Sequence, residues 1–367
     1  MRLSIICDRW DEKGGGCEQY LAGLVSHAAS LEIKTDVYAL RVDPSGDDSS
    51  RLRFQKTTDR AFSSQAVLAT RPFTGATHYQ LHTGLYTACF QAERESLPSP
   101  TRRLLYPLAQ RLNVKRQHLM RDQDRWLKGS ERPELMVFSR LTALGLESRY
   151  GIGPEEIHIN PHGVNLARFS PPMNGRLCKV EKERGQNGRE SNFLFVGHNF
   201  FLKGLHCLFE AIGRLRKMDM GVSLQVAGAG PVRRFERLAE KLGIRSQIQF
   251  LGYVSQDRLH QLYRKSVALI HPTFYDPCSL VVLEALACGC PVVTTRKNGA
   301  AELIRSGREG LILDDPRNIE ALCDMLRTFR DPNRSEEMGR ATLELGTRLD
   351  IRRHMAETMK WLGLSTE

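Results

Sequence analysis

The stretch from His271 to Thr295, HPTFYDPCSLVVLEALACGCPVVTT, constrains the fold of this chain more than any other. It reads as the end of a strand, a short loop, a helix and a second strand. The loop carries one acid, Asp276, and the helix carries another, Glu284. Between them Ser279, Leu280 and Val281 open the helix with their backbone N–H groups. A helix N-terminus flanked by two carboxylates suits a ligand with an anionic middle and hydroxylated ends. Sugar nucleotides have that shape. A plain helix cap beside one solvated acid would leave the same letters.

The strand–helix alternation runs through the whole chain. Leu3–Cys7 is an apolar strand, followed by Gly14-Gly15-Gly16 and a helical pattern from Cys17 to Leu31. This is the opening unit of a doubly wound sheet, and its glycines let backbone approach a ligand closely. Strands are expected near Ile33–Leu40, Leu52–Gln55 and Thr77–His82, with a helix near Ala61–Ala69. His82 falls at a strand end, where open α/β sheets bind ligands, although a structural histidine fits equally well. After a strand at Glu134–Ser139 and a helix to Tyr150 come Asn160-Pro161-His162-Gly163-Val164-Asn165 and then Arg168-Phe169. Pro171-Pro172 and a charged run to Asn192 mark a linker. The pattern restarts at Phe193–Val196, and Lys203 precedes the next helix, where its charge favours an anion. Further strands end at Ala227, Leu251, Ile270 and Leu313 in loops bearing glycine or polar residues. The expectation is an α/β chain of two Rossmann-like domains facing a cleft: residues 1–170, residues 171–345, and a C-terminal helix at 346–367 packing back toward the first.

The 367 residues carry a formal charge of +11, which is compatible with nucleic acid, an anionic membrane or an anionic substrate. Much of it lies in residues 101–132, with nine Lys or Arg against three acids. Leu105, Leu108, Leu112 and Leu119 can share a helical face there, with Trp126 and Leu127 beyond; Pro107 interrupts the helix or starts it. A basic amphipathic helix of this kind lies on an anionic membrane surface, or is a solvated face over a core contact. No nucleic-acid motif accompanies the charge, so no nucleic-acid partner is expected. No apolar run approaches the roughly 18–20 residues that span a bilayer, and the Leu3–Cys7 run is too short for a signal peptide. The nine cysteines are scattered without CxxC spacing, as small core residues in a reducing compartment would be. A cytoplasmic protein, peripheral on the inner face of the membrane, is expected.

Taken together, several pieces carry a resemblance. They are Asn160–Asn165 with Arg168-Phe169, Val196-Gly197 with Lys203-Gly204, Gly228–Pro231, Phe250–Gly252, and His271–Val293 with Gly299 and Glu302. In this order they resemble the GT-B-fold retaining glycosyltransferases of family 4, over nearly the whole chain. Within that family the chain is most similar to the lipopolysaccharide core glucosyltransferase I branch. The resemblance implies that Glu284 binds donor ribose hydroxyls and Asp276, the first acid of a D-x7-E motif, binds donor sugar hydroxyls. The family has Glu at the position of Asp276, and the shorter acid bears on sugar preference. Lys203 would meet the donor diphosphate, joined by the N–H groups of Ser279 and Leu280. Tyr253 and Val254 would lie by the base, Gly15 and Gly16 would line the cleft, and His82 lies near the family's N-domain histidine. His198 stands where the family has an arginine, and Arg296 or Lys297 could restore the missing charge.

The reaction so implied moves a hexosyl unit from a nucleotide diphosphate sugar, a UDP-sugar by preference, to a glycolipid or oligosaccharide acceptor, with catalytic roles at His82, Lys203 and Asp276. Neither metal nor cofactor is called for, because the nucleotide sugar is a substrate and lysine and helix terminus stabilise the leaving diphosphate. A sugar-nucleotide 2-epimerase, or a membrane-associated scaffold that binds sugar nucleotide without turnover, are the alternatives.

Overall fold

The computed structural model describes residues 1–10, 16–42, 64–73, 75–129, 131–170 and 191–365. Twelve strands and twelve α-helices are distributed along them. The first half comprises β1 (Arg2–Trp10), α1 (Gly16–Ser30), β2 (Lys34–Val42), β3 (Ala66–Ala69), β4 (His78–Gln80), α2 (Tyr86–Ser96), α3 (Pro100–Arg111), α4 (Val114–Lys128), β5 (Glu134–Val137), α5 (Arg140–Tyr150) and β6 (Ile157–Ile159). The second comprises β7 (Ser191–Val196), α6 (Leu205–Lys217), β8 (Val222–Ala227), α7 (Val232–Lys241), β9 (Ile248–Gly252), α8 (Gln256–Lys265), β10 (Ala268–His271), α9 (Leu280–Ala287), β11 (Val292–Thr295) and β12 (Gly310–Leu313). Helices α10 (Ile319–Thr328), α11 (Pro332–Gly346) and α12 (Ile351–Trp361) complete it.

The strands form two six-stranded parallel sheets, ordered β2-β1-β3-β4-β5-β6 and β12-β11-β10-β7-β8-β9. Parallel strands joined through helices bury both faces, so inner strands such as β3 and β10 are short runs buried along their whole length. Ala66–Ala69 shows what this does to a sequence reading. The expected helix near Ala61–Ala69 is a strand over Ala66–Ala69, with all four residues buried. A short apolar run has no period to separate helix from buried strand, and pairing with β1 and β4 decides it. The expected strand at Leu52–Gln55 lies outside the described residues.

Contacts divide the chain into two units, one of residues 1–88, 108–163 and 352–367, the other of residues 89–107 and 164–351. These boundaries depart from the expected 1–170 and 171–345 chiefly in giving 89–107 to the second unit. Within the first unit, α12 is held by Asn160, whose Nδ2 donates to the His354 carbonyl and to Thr358 Oγ1, both at 3.1 Å. The basic stretch 101–132 is two helices rather than one. Pro107 sits inside α3, and the break falls at Asn113, whose side chain accepts from the Arg116 N–H and caps α4. Trp126 is half-buried against Tyr79, ring centroids 4.8 Å apart, so it serves the core. Leu127 is buried as well.

Candidate functional site

In the second sheet β7 and β10 are neighbours, but the chain leaves β7 toward β8 on one side and β10 toward β11 on the other. Loops at such a reversal diverge and leave a crevice at the carboxyl ends of the strands. The loop after β7 delivers Lys203, and the loop after β10 delivers Asp276. Gly204 closes the first loop at φ +76°, and a Cβ there would stand 2.0 Å from the Pro272 carbonyl oxygen. Only glycine lets the two loops approach this closely. Gly228, at φ +121°, packs against Gly197 for the same reason, a Cβ falling 2.1 Å from its carbonyl oxygen.

Lys203 Nζ donates to Asp276 Oδ2 at 2.7 Å and to the Tyr275 carbonyl at 3.4 Å. The imidazole of His271 lies behind the pair, its Nε2 3.7 Å from the same carboxylate oxygen and 3.4 Å from Ser279 Oγ. Burial pushes the Asp276 carboxyl up, but Lys203 and His271 outweigh it and hold the group well below the usual carboxylate range. Burial keeps His271 neutral by lowering it. At neutral pH the array is therefore one ammonium shared with one carboxylate, and an incoming anion must share the ammonium with Asp276.

The Asp276 loop is clamped from the other side by the turn after β11. Asp276 N–H donates to the Lys297 carbonyl at 3.0 Å, and Gly299 N–H donates to the Asp276 carbonyl at 2.9 Å. Asn298, 1% exposed, braces both loops: its Oδ1 accepts from Ser279 N–H at 3.2 Å and Ala300 N–H at 3.1 Å, and its Nδ2 donates to Thr294 Oγ1 at 2.9 Å. The Ser279 N–H, read from sequence as facing a ligand, is thus spent on Asn298. Half-buried Leu280 is the first residue of α9. On the next turn Glu284 Oε2 accepts from the fully buried Tyr263 hydroxyl at 2.9 Å, and burial pushes the Glu284 carboxyl up to about 7.

His198 is exposed, and its Nδ1 accepts from the Ala229 N–H at 3.3 Å, bracing the Gly228–Gly230 turn. Arg296 is ion-paired with Asp314, both exposed, whereas half-buried Lys297 pairs with Glu95 of α2 at 3.2 Å. Of the two cations, Lys297 is the one whose backbone belongs to the site. Tyr253 is 72% exposed after β9, with Val254 half-buried beside it. Gly16 is the exposed first residue of α1, and Gly15 lies outside the described residues. In the first unit His82 Nε2 and Gln80 Oε1 are 2.9 Å apart, and the ring packs on Tyr20 and Phe138 at 4.7 and 4.9 Å. Burial, with His354, pushes it down to about 3, so it is a neutral, aromatic-packed histidine.

Sequence reasoning missed His271, Tyr263, Asn298 and Glu95 as members of this array. His271 and Asn298 had a signal, standing at the carboxyl ends of strands; Tyr263 and Glu95 had none, because each reaches in from a different helix. Among the described residues, no group of three or more His, Cys, Asp or Glu is placed to hold a metal ion.

Residues 179–344 match the family described as glycosyl transferases group 1. The chain is 29% identical over 196 residues to the lipopolysaccharide glucosyltransferase WaaG of Escherichia coli, covering 53% of this chain and 52% of that protein. It is 33% identical over 197 residues to the D-inositol 3-phosphate glycosyltransferase of Rhodococcus opacus, covering 52% of this chain and 44% of that one. The chain thus spans about half the length of the curated relatives it matches. Among solved structures, that of WaaG superposes with TM-score 0.78 and 20% identity, over 98% of this chain and 99% of its own. Anabaena HepE in complex with UDP and glucose superposes with TM-score 0.69 and 16% identity, over 98% and 99%. The fold is GT-B: two six-stranded parallel sheets flanked by helices.

Proposed function

We propose, from a chain whose residues 179–344 match the group 1 glycosyl transferases, that it moves a hexosyl unit from a UDP-sugar to a cell-envelope glycolipid such as lipopolysaccharide core, with retention at the sugar. The observation that carries this reading is the Lys203–Asp276 pair at the β7/β10 reversal: a cation for a leaving diphosphate touching an ionised acceptor for sugar hydroxyls. As the bond from the sugar to the diphosphate breaks, negative charge gathers on the departing oxygen. Lys203, fixed in place by Asp276 and the Tyr275 carbonyl, stabilises that charge without reorganising. Asp276 stays ionised throughout and can only accept hydrogen bonds, which suits hydroxyls of the donor sugar. Glu284, on the buried second turn of α9, receives the ribose diol, and Lys297 exchanges Glu95 for the diphosphate as a second cation. The two acids hold different parts of one donor and are not an acid–nucleophile pair. Similarity to the lipopolysaccharide glucosyltransferase WaaG, and the fold shared with HepE in complex with UDP and glucose, support these donor and acceptor classes.

The reading includes an anionic membrane surface bound through 101–132, on the cytoplasmic side. Helix α3 has no buried residue, and Leu104, Leu105, Leu108, Leu112 and Val114 are all exposed, with Leu112 at 84%. Arg102, Arg103, Arg111 and Lys115 interleave with them. Leucines dip into the acyl boundary while arginines meet headgroups. No helix among the described residues is long and apolar enough to cross a membrane.

The deciding experiment measures nucleotide release from UDP-, GDP- and ADP-sugars with and without glycolipid acceptor. Acceptor-dependent release from one UDP-hexose, lost in Lys203→Ala, is expected. Binding of donors without turnover on any acceptor would return the scaffold reading. In parallel, Leu104→Ser/Leu108→Ser/Leu112→Ser protein should lose binding to phosphatidylglycerol vesicles while keeping donor binding; unchanged vesicle binding would remove the membrane part alone.

A further inference from the structure

We propose that helix α12 sets the tautomer of His82 through a one-way chain of hydrogen bonds, which makes Tyr20, Gln80 and His354 positioning residues for it. All four residues lie in the first unit. The chain starts at His354 on α12, whose Nδ1 lies 2.8 Å from the Pro161 carbonyl oxygen. A carbonyl only accepts, so this nitrogen carries the proton. A neutral imidazole has one N–H, which leaves His354 Nε2 as an acceptor, 3.2 Å from the Tyr20 hydroxyl oxygen. The hydroxyl therefore donates toward α12. Thr358, the other group of α12 that bonds the Tyr20 hydroxyl, gives its own proton to the His354 carbonyl at 2.9 Å and offers Tyr20 only a lone pair. With its proton committed, the Tyr20 oxygen accepts from Gln80 Nε2 at 2.8 Å. The same amide nitrogen donates to the Met136 thioether at 3.0 Å, which fixes the orientation of this fully buried amide a second time. Gln80 Oε1 then faces His82 Nε2 at 2.9 Å, so that nitrogen donates and Nδ1 keeps the lone pair.

Packing and burial hold the chain in this state. The His82 ring is set edge-on to Tyr20 and Phe138, and His162 lies 5.8 Å from His82 and 5.4 Å from His354. Burial, the largest cause in each case, lowers His354 to about 4 and His82 to about 3, so neither ring takes a second proton at neutral pH. Reversing the chain would set a bare His354 Nδ1 against the Pro161 carbonyl and the Gln80 carbonyl oxygen against the Met136 sulfur. Those are two repulsive contacts inside the core. Among the described residues none hydrogen-bonds His82 Nδ1, and His82 is half-buried in the turn after β4, an inner strand of its sheet. An unprotonated ring nitrogen accepts a hydrogen bond and cannot give one, which suits a substrate hydroxyl and disfavours a phosphate oxygen. That this hydroxyl belongs to a sugar rests on the transferase reading above; the tautomer does not.

The test uses protein with isotope-labelled histidine, whose long-range proton–nitrogen correlation spectra read the tautomer of each ring. The His82 and His354 signals are identified by their loss in His82→Gln and His354→Gln. In wild type His354 should carry its proton on Nδ1 and His82 on Nε2. A wild-type His82 protonated on Nδ1 overturns the proposal without recourse to any variant. Tyr20→Phe removes one oxygen and keeps the ring; it frees the Gln80 amide to turn, so His82 should become a mixture of both tautomers. An unchanged His82 tautomer in that variant overturns the chain. Turnover of the UDP-hexose that wild type uses should fall about tenfold in Tyr20→Phe, with UDP affinity unchanged. The same substitution in a His82→Gln background should cost nothing further, because Tyr20 acts through His82. Equal losses in the two backgrounds would refute the positioning role. A wild type with the expected tautomers and no turnover on any donor would count against the transferase reading and leave the chain standing.

Discussion

Replacing Glu284 with Gln should make the protein more stable at neutral and alkaline pH and leave it unchanged in acid. The Glu284 carboxyl is pushed by burial from its ordinary 4.5 up to about 7. The unfolded chain releases this proton near pH 4.5, while the folded chain holds it until about pH 7. Between those values the folded state binds more protons, so wild-type stability falls as pH rises and is flat above about 7.5. At about 1.4 kcal/mol for each tenfold change, the loss amounts to about 3 kcal/mol. Glutamine cannot ionise, and its Oε1 can still accept from the Tyr263 hydroxyl, so the bond seen at 2.9 Å survives the change. Urea denaturation of both proteins at pH 4.5, 6, 7 and 8 isolates this group, because every other titration is common to the two. The difference should be near zero at pH 4.5 and about 3 kcal/mol in favour of Gln at pH 8. A difference independent of pH would refute the reasoning, since it would mean that Glu284 titrates alike in folded and unfolded chains. Donor binding supplies a second readout. Ribose hydroxyls donating to the ionised carboxylate would pull it down, so saturating UDP should flatten the wild-type profile, and the Gln variant should bind UDP about tenfold more weakly.

Lys203→Met should lower turnover about 10²- to 10³-fold and destabilise the fold by about 3 kcal/mol, because it strands the nearly buried Asp276 carboxylate. Adding Asp276→Asn should restore stability but not turnover, as read by denaturation and nucleotide release; recovery of both would place the leaving-group cation elsewhere. Lys297→Ala should reduce turnover about tenfold, whereas Arg296→Ala, which removes only an exposed pair with Asp314, should stay within about twofold. Full activity in both would remove either residue as the substitute for the arginine expected where His198 stands. Gly204→Ala should cost about 3 kcal/mol or more, its Cβ meeting the Pro272 carbonyl, while Gly252→Ala, at φ +66° with open space around it, should cost about 1 kcal/mol. Equal costs would show that the close approach of the β7 and β10 loops is not what Gly204 serves.

Much of this molecule was decided locally and was legible in its letters. Apolar runs such as Phe193–Val196 and Ala268–Ile270, each followed by a polar or glycine-bearing loop and a helix, specify alternating strands and helices. They also place Lys203 and Asp276 at strand ends. What pairing does to those elements was not legible, because it depends on residues far apart in the chain. Ala66–Ala69 is a strand only because β1 and β4 flank it. Lys203 meets Asp276 only because β7 and β10 are neighbours at the point where the strand order reverses. Asn298 takes the Ser279 N–H from nineteen positions away, and Trp126 is drawn inward to Tyr79 although its helix is strongly basic. Local periodicity reports which face of an element is apolar, over three or four residues. The partner that satisfies a donor, shares a charge or shifts a carboxyl group comes from elsewhere in the chain, and only the tertiary structure supplies it.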